Sequence, residues 1–98
     1  MGFFFRRASA APAVERFLAA RGAARCAQAV RIIRHLCDTP TDIPALWERL
    51  ELPLVQDLPD CPPGTKHTLI AALEDCAAAC RHRETARRMM IVRDSLRQ

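Results

Sequence analysis

The side chains best equipped for chemistry are five cysteines, Cys26, Cys37, Cys61, Cys76 and Cys80, and three histidines, His35, His67 and His82. Cys76 and Cys80 are four apart, so on a helix both sulfurs lie on one face, where two thiolates could reach one metal ion. A closed zinc site takes four ligands, and His82, Cys61 or His67 would have to complete it. The sequence has no CxxC pair. Cysteine within an apolar stripe usually acts as a small buried hydrophobe. That reading outweighs the metal site, for which Cys76, Cys80 and His82 are weak candidates, and no cofactor is expected. Cys26 and Cys37 are eleven apart, too far along one helix to bridge to each other. The spacing of four in the second pair does not match, which argues against a twin-cysteine disulfide hairpin. The odd count and the lack of a spaced secretory framework imply reduced thiols in an intracellular compartment.

Other catalytic signatures are missing. No histidine stands in a motif with a serine or cysteine, so a catalytic Cys–His pair could arise only by meeting in space. Three glycines supply no phosphate-binding loop, and the acids form no paired-carboxylate motif. The chain is therefore expected to be no enzyme. With 15 Lys and Arg against 11 acids the net charge is +4. The basic residues interleave with acids from Glu15 onward and read as a solvated surface. Aromatics are few and do not alternate with arginine, so no nucleic-acid partner is expected. Trp47, the one tryptophan, is either a core anchor between helices or an interface anchor.

The elements that carry these residues read as helices. Pro12 suits a first turn, and a short helix over about 12–21 ends at Gly22. A second, over about 23–37, has the stripe Cys26, Val30, Ile33 and Cys37, with Ala29, Ile32 and Leu36 beside it and Arg25, Arg31 and Arg34 toward water. The segment 38–41 breaks it. Asp42 is a candidate N-cap for a third helix over about 43–50, carrying Leu46, Trp47 and Leu50 and limited by Pro53. Leu54, Val55 and Leu58 continue core contact, and Pro59, Pro62, Pro63 and Gly64 form a loop. Thr65 caps a helix over about 66–81 with the stripe Leu69, Leu73, Cys76 and Cys80. After a polar interruption at 81–83, a last helix over about 84–97 presents Met89, Val92 and Leu96. Nothing alternates with period two, so no sheet is expected. The fold class is all-α, about five helices as stacked helical hairpins, an α-α superhelix of tetratricopeptide-like kind. Its two junctions, at 17–25 and 78–86, share one plan of apolar helix end, tight turn and new helix.

Residues 12–98 form a single domain, and 1–11 are an N-terminal extension for targeting or anchoring. The start is basic and acid-free, with Phe3, Phe4, Phe5, Arg6, Arg7 and Ser9, like a mitochondrial targeting segment. Phe3, Phe4 and Phe5 are interface candidates together with Trp47. Myristoylation at Gly2 is disfavoured by Arg6, where the motif takes Ser or Thr. No apolar run reaches the ~20 residues of a membrane-spanning helix.

From Asp42 onward the order of residues resembles a known family. Asp42-Ile43, Ala45, Trp47 and Glu48 are followed by Leu54-Val55 and Asp57-Leu58-Pro59. Ile70-Ala71-Ala72-Leu73 and Cys76 come next, then Thr85, Arg87, Val92 and Asp94. This pattern is similar to the nuclear-encoded, matrix-side accessory subunit of mitochondrial cytochrome c oxidase, subunit Va in animals and VI in yeast. Insertions are needed near Trp47 and at Pro62-Pro63-Gly64. The resemblance covers roughly residues 42–94. It implies a helical-hairpin stack docked on protein subunits of the oxidase, on the matrix side of the inner membrane and associated with that membrane only through the complex. It also implies no haem, copper or catalysis in this chain, and a role in assembly, stability or regulation. Two other readings are a free-standing, cytoplasmic helical-repeat adaptor or chaperone that binds a protein, and a metal-binding helical protein.

Overall fold

The computed structural model describes residues 11–38 and 43–97. Five helices follow in order: α1 (Ala11–Ala19), α2 (Gly22–Asp38), α3 (Ile43–Asp57), α4 (Pro63–Ala79) and α5 (Arg83–Leu96), with a short 3-10 helix, Leu58–Asp60, after α3. No strand occurs among the described residues. The chain is all-α, as its periodicity requires. The segment 39–41, the expected cap Asp42 and the Phe3-Phe4-Phe5 run lie outside the described residues.

Each helix buries one stripe, and the five stripes meet in one core. Val14 and Phe17 come from α1, Ile32, Ile33 and Leu36 from α2, and Trp47, Leu50 and Leu54 from α3. Leu69, Leu73 and Cys76 come from α4, and Met89, Val92 and Leu96 from α5. α1 packs on α2 and α4 on α5 as antiparallel neighbours, while α2 and α4 lie alongside each other and α3 leans on α5. On α2 the centre of the buried face runs through Cys26, Ala29, Ile32, Ile33 and Leu36, with Val30 and Cys37 at its margin. The inward direction is thus rotated by about one residue from the expected stripe.

Three expectations are corrected. Pro53 does not end the third helix, because α3 continues through it to Asp57. Proline inside a helix costs about 3 kcal/mol. Leu54 and Leu58, both fully buried, each return about 1.5–3 kcal/mol by leaving water, and they reach the core only if the helical path continues. The fourth helix begins at Pro63, not after Thr65. Its first turn uses a residue whose missing N–H costs nothing there, and the Lys66 amide donates to the Pro62 carbonyl at 2.9 Å. Gly22 opens α2 and does not merely close α1. It adopts φ +56, the left-handed conformation that lets the chain reverse within Ala20–Gly22.

The cysteines give the fourth correction. Cys26 and Cys61 are joined as a disulfide with 5.8 Å between their Cα atoms, so the five are not all reduced thiols. Cys26 lies in the first turns of α2 and Cys61 just before α4, which fixes the starts of these two helices side by side. The bridge spans a sequence separation of 35 residues. Loop-closure entropy for a ring of that size corresponds to about 3–4 kcal/mol.

Two outcomes follow for stability. Gly22→Ala should cost about 1 kcal/mol, because an L side chain resists positive φ. Gly64→Ala, in the first turn of α4 with open space around a Cβ, should gain about 0.5–1 kcal/mol. Urea unfolding of the two variants reads both signs. Reduction of Cys26–Cys61 should lower the unfolding free energy by about 3–4 kcal/mol, read by the same unfolding curve with and without a thiol reductant. An unchanged curve would show that the bridge does not constrain the unfolded chain.

Candidate functional site

Three surface features could bear function: a groove between α3 and α5, a shallower one between α4 and α5, and a group of thiols at the ends of α2 and α4. The α3–α5 groove encloses about 600 Å³ and is lined by Pro44, Trp47, Glu48, Glu51 and Leu52 from one side and by His82, Glu84, Thr85 and Arg88 from the other. The starts of both helices share it, so α3 and α5 run in the same direction here. Trp47 is 2 % exposed. It packs as a core anchor and also lines the groove.

The polar centre of the groove is Glu51. It accepts a hydrogen bond from Trp47 Nε1 at 2.7 Å and one from Arg88 Nε at 2.6 Å. The Arg88 guanidinium, and then the indole N–H, hold the Glu51 carboxyl below its ordinary value of 4.5 against the opposing effect of burial. A carboxylate so committed is a poor general base. Glu84 is likewise engaged, mainly by Arg87, with Arg87 Nη2 at 2.6 Å. The groove therefore offers fixed ion pairs over an aromatic floor and no poised acid–base pair.

Other arginines also serve as struts between helices, where the interleaved charges read as a solvated surface. Arg93 and Arg97 of α5 meet Glu74 of α4 at 2.9 and 3.1 Å. Arg49 of α3 meets Glu15 of α1 at 2.7 Å. Arg25 is the clearest departure. Expected toward water, its side chain is only 13 % exposed. It packs over the Phe17 ring at 5.3 Å, donates to the Leu18 carbonyl at 2.6 Å and pairs with Asp57. No sequence spacing marks this contact, because Asp57 is 32 residues away.

The weak metal candidates do not converge. Cys76 is buried on the core side of α4. Cys80 caps the C-terminus of α4 and its thiol donates to the His82 carbonyl oxygen at 3.5 Å. The exposed His82 ring borders the α3–α5 groove instead. His67 lies beside Leu96 and Arg97 at the far end of α5, about 20 Å from His82 by helical rise. No group of three His, Cys, Asp or Glu able to hold a metal occurs among the described residues. No described helix is long and apolar enough to cross a membrane.

The remaining feature is apolar. Leu52 is 62 %, Val55 40 % and Ile91 52 % exposed. The Glu51–Arg88 pair sets the register of α3 against α5, and one turn further along each helix stand Val55 and Ile91. All three side chains thus belong to the outer face of one helix pair, next to the groove.

Glu51 gives a pH test. Its carboxyl is lowered in the folded state, so its stabilisation is present above its ordinary value of 4.5 and is lost as pH falls through the lower folded value. The native protein should exceed Glu51→Gln in stability at about pH 7, and the gap should close at about pH 3. Trp47, the one tryptophan, reports unfolding by fluorescence. A gap that stays constant across that range would remove the charge of Glu51 as its cause.

Comparison with known proteins finds no matching family model, no similar curated protein and no similar solved structure.

Proposed function

We propose that this chain is a non-catalytic accessory subunit that docks on a larger protein assembly. The assembly indicated by the resemblance over residues 42–94 is cytochrome c oxidase on the matrix side of the inner mitochondrial membrane. There the chain would serve assembly, stability or regulation. The observation that carries the docking reading is the outer face of α3 and α5, where Leu52, Val55 and Ile91 are the large apolar side chains left exposed among the described residues. They sit on helices whose inner faces are fully buried and which the Glu51–Arg88 pair links. Single exposed apolar residues are ordinary on any surface. Three on one helix pair, beside a groove, are what an interface core requires. The titrating groups support the same reading, since the lowered carboxyls are each explained by an ion pair and the raised Cys76 thiol by burial.

The Cys26–Cys61 disulfide favours a second reading. Disulfides persist in oxidising compartments and are rare where thiols are kept reduced. A free-standing helical adaptor or chaperone in an oxidising compartment accounts for the bridge directly. A matrix-facing subunit would hold these two cysteines as thiols.

One experiment separates the two. Tagged protein is isolated from cells in mild detergent after trapping of thiols by alkylation. The accessory-subunit reading expects haem a and copper to co-purify, and Leu52→Arg together with Ile91→Arg to reduce that recovery at least tenfold without lowering the melting temperature. Recovery of the chain without haem a, with Cys26 and Cys61 protected from alkylation, rejects the oxidase and supports the adaptor. Undiminished recovery by the double variant rejects the α3–α5 face as the interface.

A further inference from the structure

The seam between α2 and α4 carries cysteines at both ends. At the start Cys26 is bridged to Cys61. Eleven residues, just over three full turns, separate Cys26 from Cys37, so the two lie on nearly the same face of α2 and about 16 Å apart along its axis. On α4, Cys76 lies a similar rise beyond the Pro63 start. Because α2 and α4 lie alongside each other with their starts pinned together, Cys37 and Cys76 arrive at the same level. The two thiols are near enough to interact, for Cys37 adds to the effect of burial on the Cys76 thiol. Cys37, Cys76 and Cys80 all remain thiols.

We propose that Cys37 and Cys76 are the site of a second, reversible disulfide, which closes the far end of the α2–α4 seam as Cys26–Cys61 closes the near end. The oxidant is a low-molecular-weight disulfide of the glutathione class. Cys37 is half-exposed and Cys76 is buried, so Cys37 is the point of entry. Its thiolate attacks one sulfur of the donor disulfide. The donor S–S bond breaks, one donor thiol leaves with its electron pair and takes up a proton, and a mixed disulfide forms on Cys37. Cys76 then gives up its proton and attacks the Cys37 sulfur, expelling the second donor thiol. Two protein thiols are oxidised to one disulfide, and one donor disulfide is reduced to two thiols. Burial pushes the Cys76 thiol up, so Cys37 reacts first and Cys76 attacks only once the mixed disulfide stands beside it. Cys80 stands one turn on, half-exposed and at the helix end, outside the bridge.

The full chain is equilibrated with reduced and oxidised glutathione over a series of ratios, quenched with a maleimide, and analysed by intact mass and by peptide mapping. Under oxidising ratios the native protein should keep one alkylatable thiol and yield a peptide linking Cys37 to the Cys76 segment. Its melting temperature should rise by roughly 10–20 °C over the form bridged only at Cys26–Cys61. Cys80→Ser should retain the linkage, which assigns it to Cys76. Cys76→Ser should instead accumulate glutathione on Cys37. Three alkylatable thiols at every ratio, a linkage lost in Cys80→Ser, or a zinc ion found on the reduced thiols with no bridge forming would each overturn the proposal.

Discussion

The placement of α2 against α4 is the constraint on which the other contacts depend. Both helices bury several fully enclosed side chains, Ile32, Ile33 and Leu36 on one and Leu69, Ala72 and Leu73 on the other. Each also carries a hairpin partner, α1 on α2 and α5 on α4. Fixing the two starts through Cys26 and Cys61 therefore positions both hairpins at once. α3 then bridges them, touching α1, α2 and α5. A domain of this length has little apolar surface to spare, so a covalent tie across this internal seam contributes a share of the net stability that a larger core would otherwise supply.

The charged surface follows from the same arrangement. Long arginine side chains reach from one helix to the next around the shared seam. Arg49 reaches α1, Arg88 reaches α3, and Arg93 and Arg97 reach α4. Exposed pairs of this kind contribute at most about 1 kcal/mol each. Arg25 differs, because its stem lies on Phe17 and its head is nearly enclosed. It ties the α1–α2 turn to the end of α3, so the turn made at Gly22 and the run-out at Asp57 are held by one side chain.

Much of this was legible in the sequence, and the failures have physical causes. The buried stripes of α4 and α5 follow largely from spacing, since Leu69, Leu73, Cys76, Met89, Val92 and Leu96 repeat at helical intervals and all are buried, whereas Cys80, expected in the same stripe, is only partly buried just past the helix end. Trp47 reads as core or interface from its type alone, and its burial adds the core role. Local signals misled where tertiary burial overrode them. Pro53 reads as a stop in isolation, yet Leu54 and Leu58 beyond it complete the stripe begun by Ile43, Trp47 and Leu50. Thr65 looks like a cap, but Pro63 two residues earlier already satisfies the first turn. The Cys26–Cys61 bridge and the Arg25–Asp57 pair were invisible for another reason. Pairing between residues 35 and 32 apart depends on which helices become neighbours, and no periodicity encodes that. Spacing along one helix excludes a Cys26–Cys37 bridge but says nothing of a partner on another segment, and Cys26 pairs with Cys61 just before α4.

The continuation of α3 through Pro53 bears on the docking face as well. Proline has no N–H to donate, so the Arg49 carbonyl lacks its ordinary helical donor at this point. Leu52 and Val55, both exposed, flank that proline on the outer side of α3. The core-facing residues of the same segment, Leu50, Leu54 and Leu58, are wholly enclosed. α3 is thus anchored firmly from within while its outer side combines apolar side chains with a backbone acceptor short of a donor. Burial on the inner side thus holds in place an outer side whose apolar residues gain nothing from solvent, the arrangement on which the docking proposal rests.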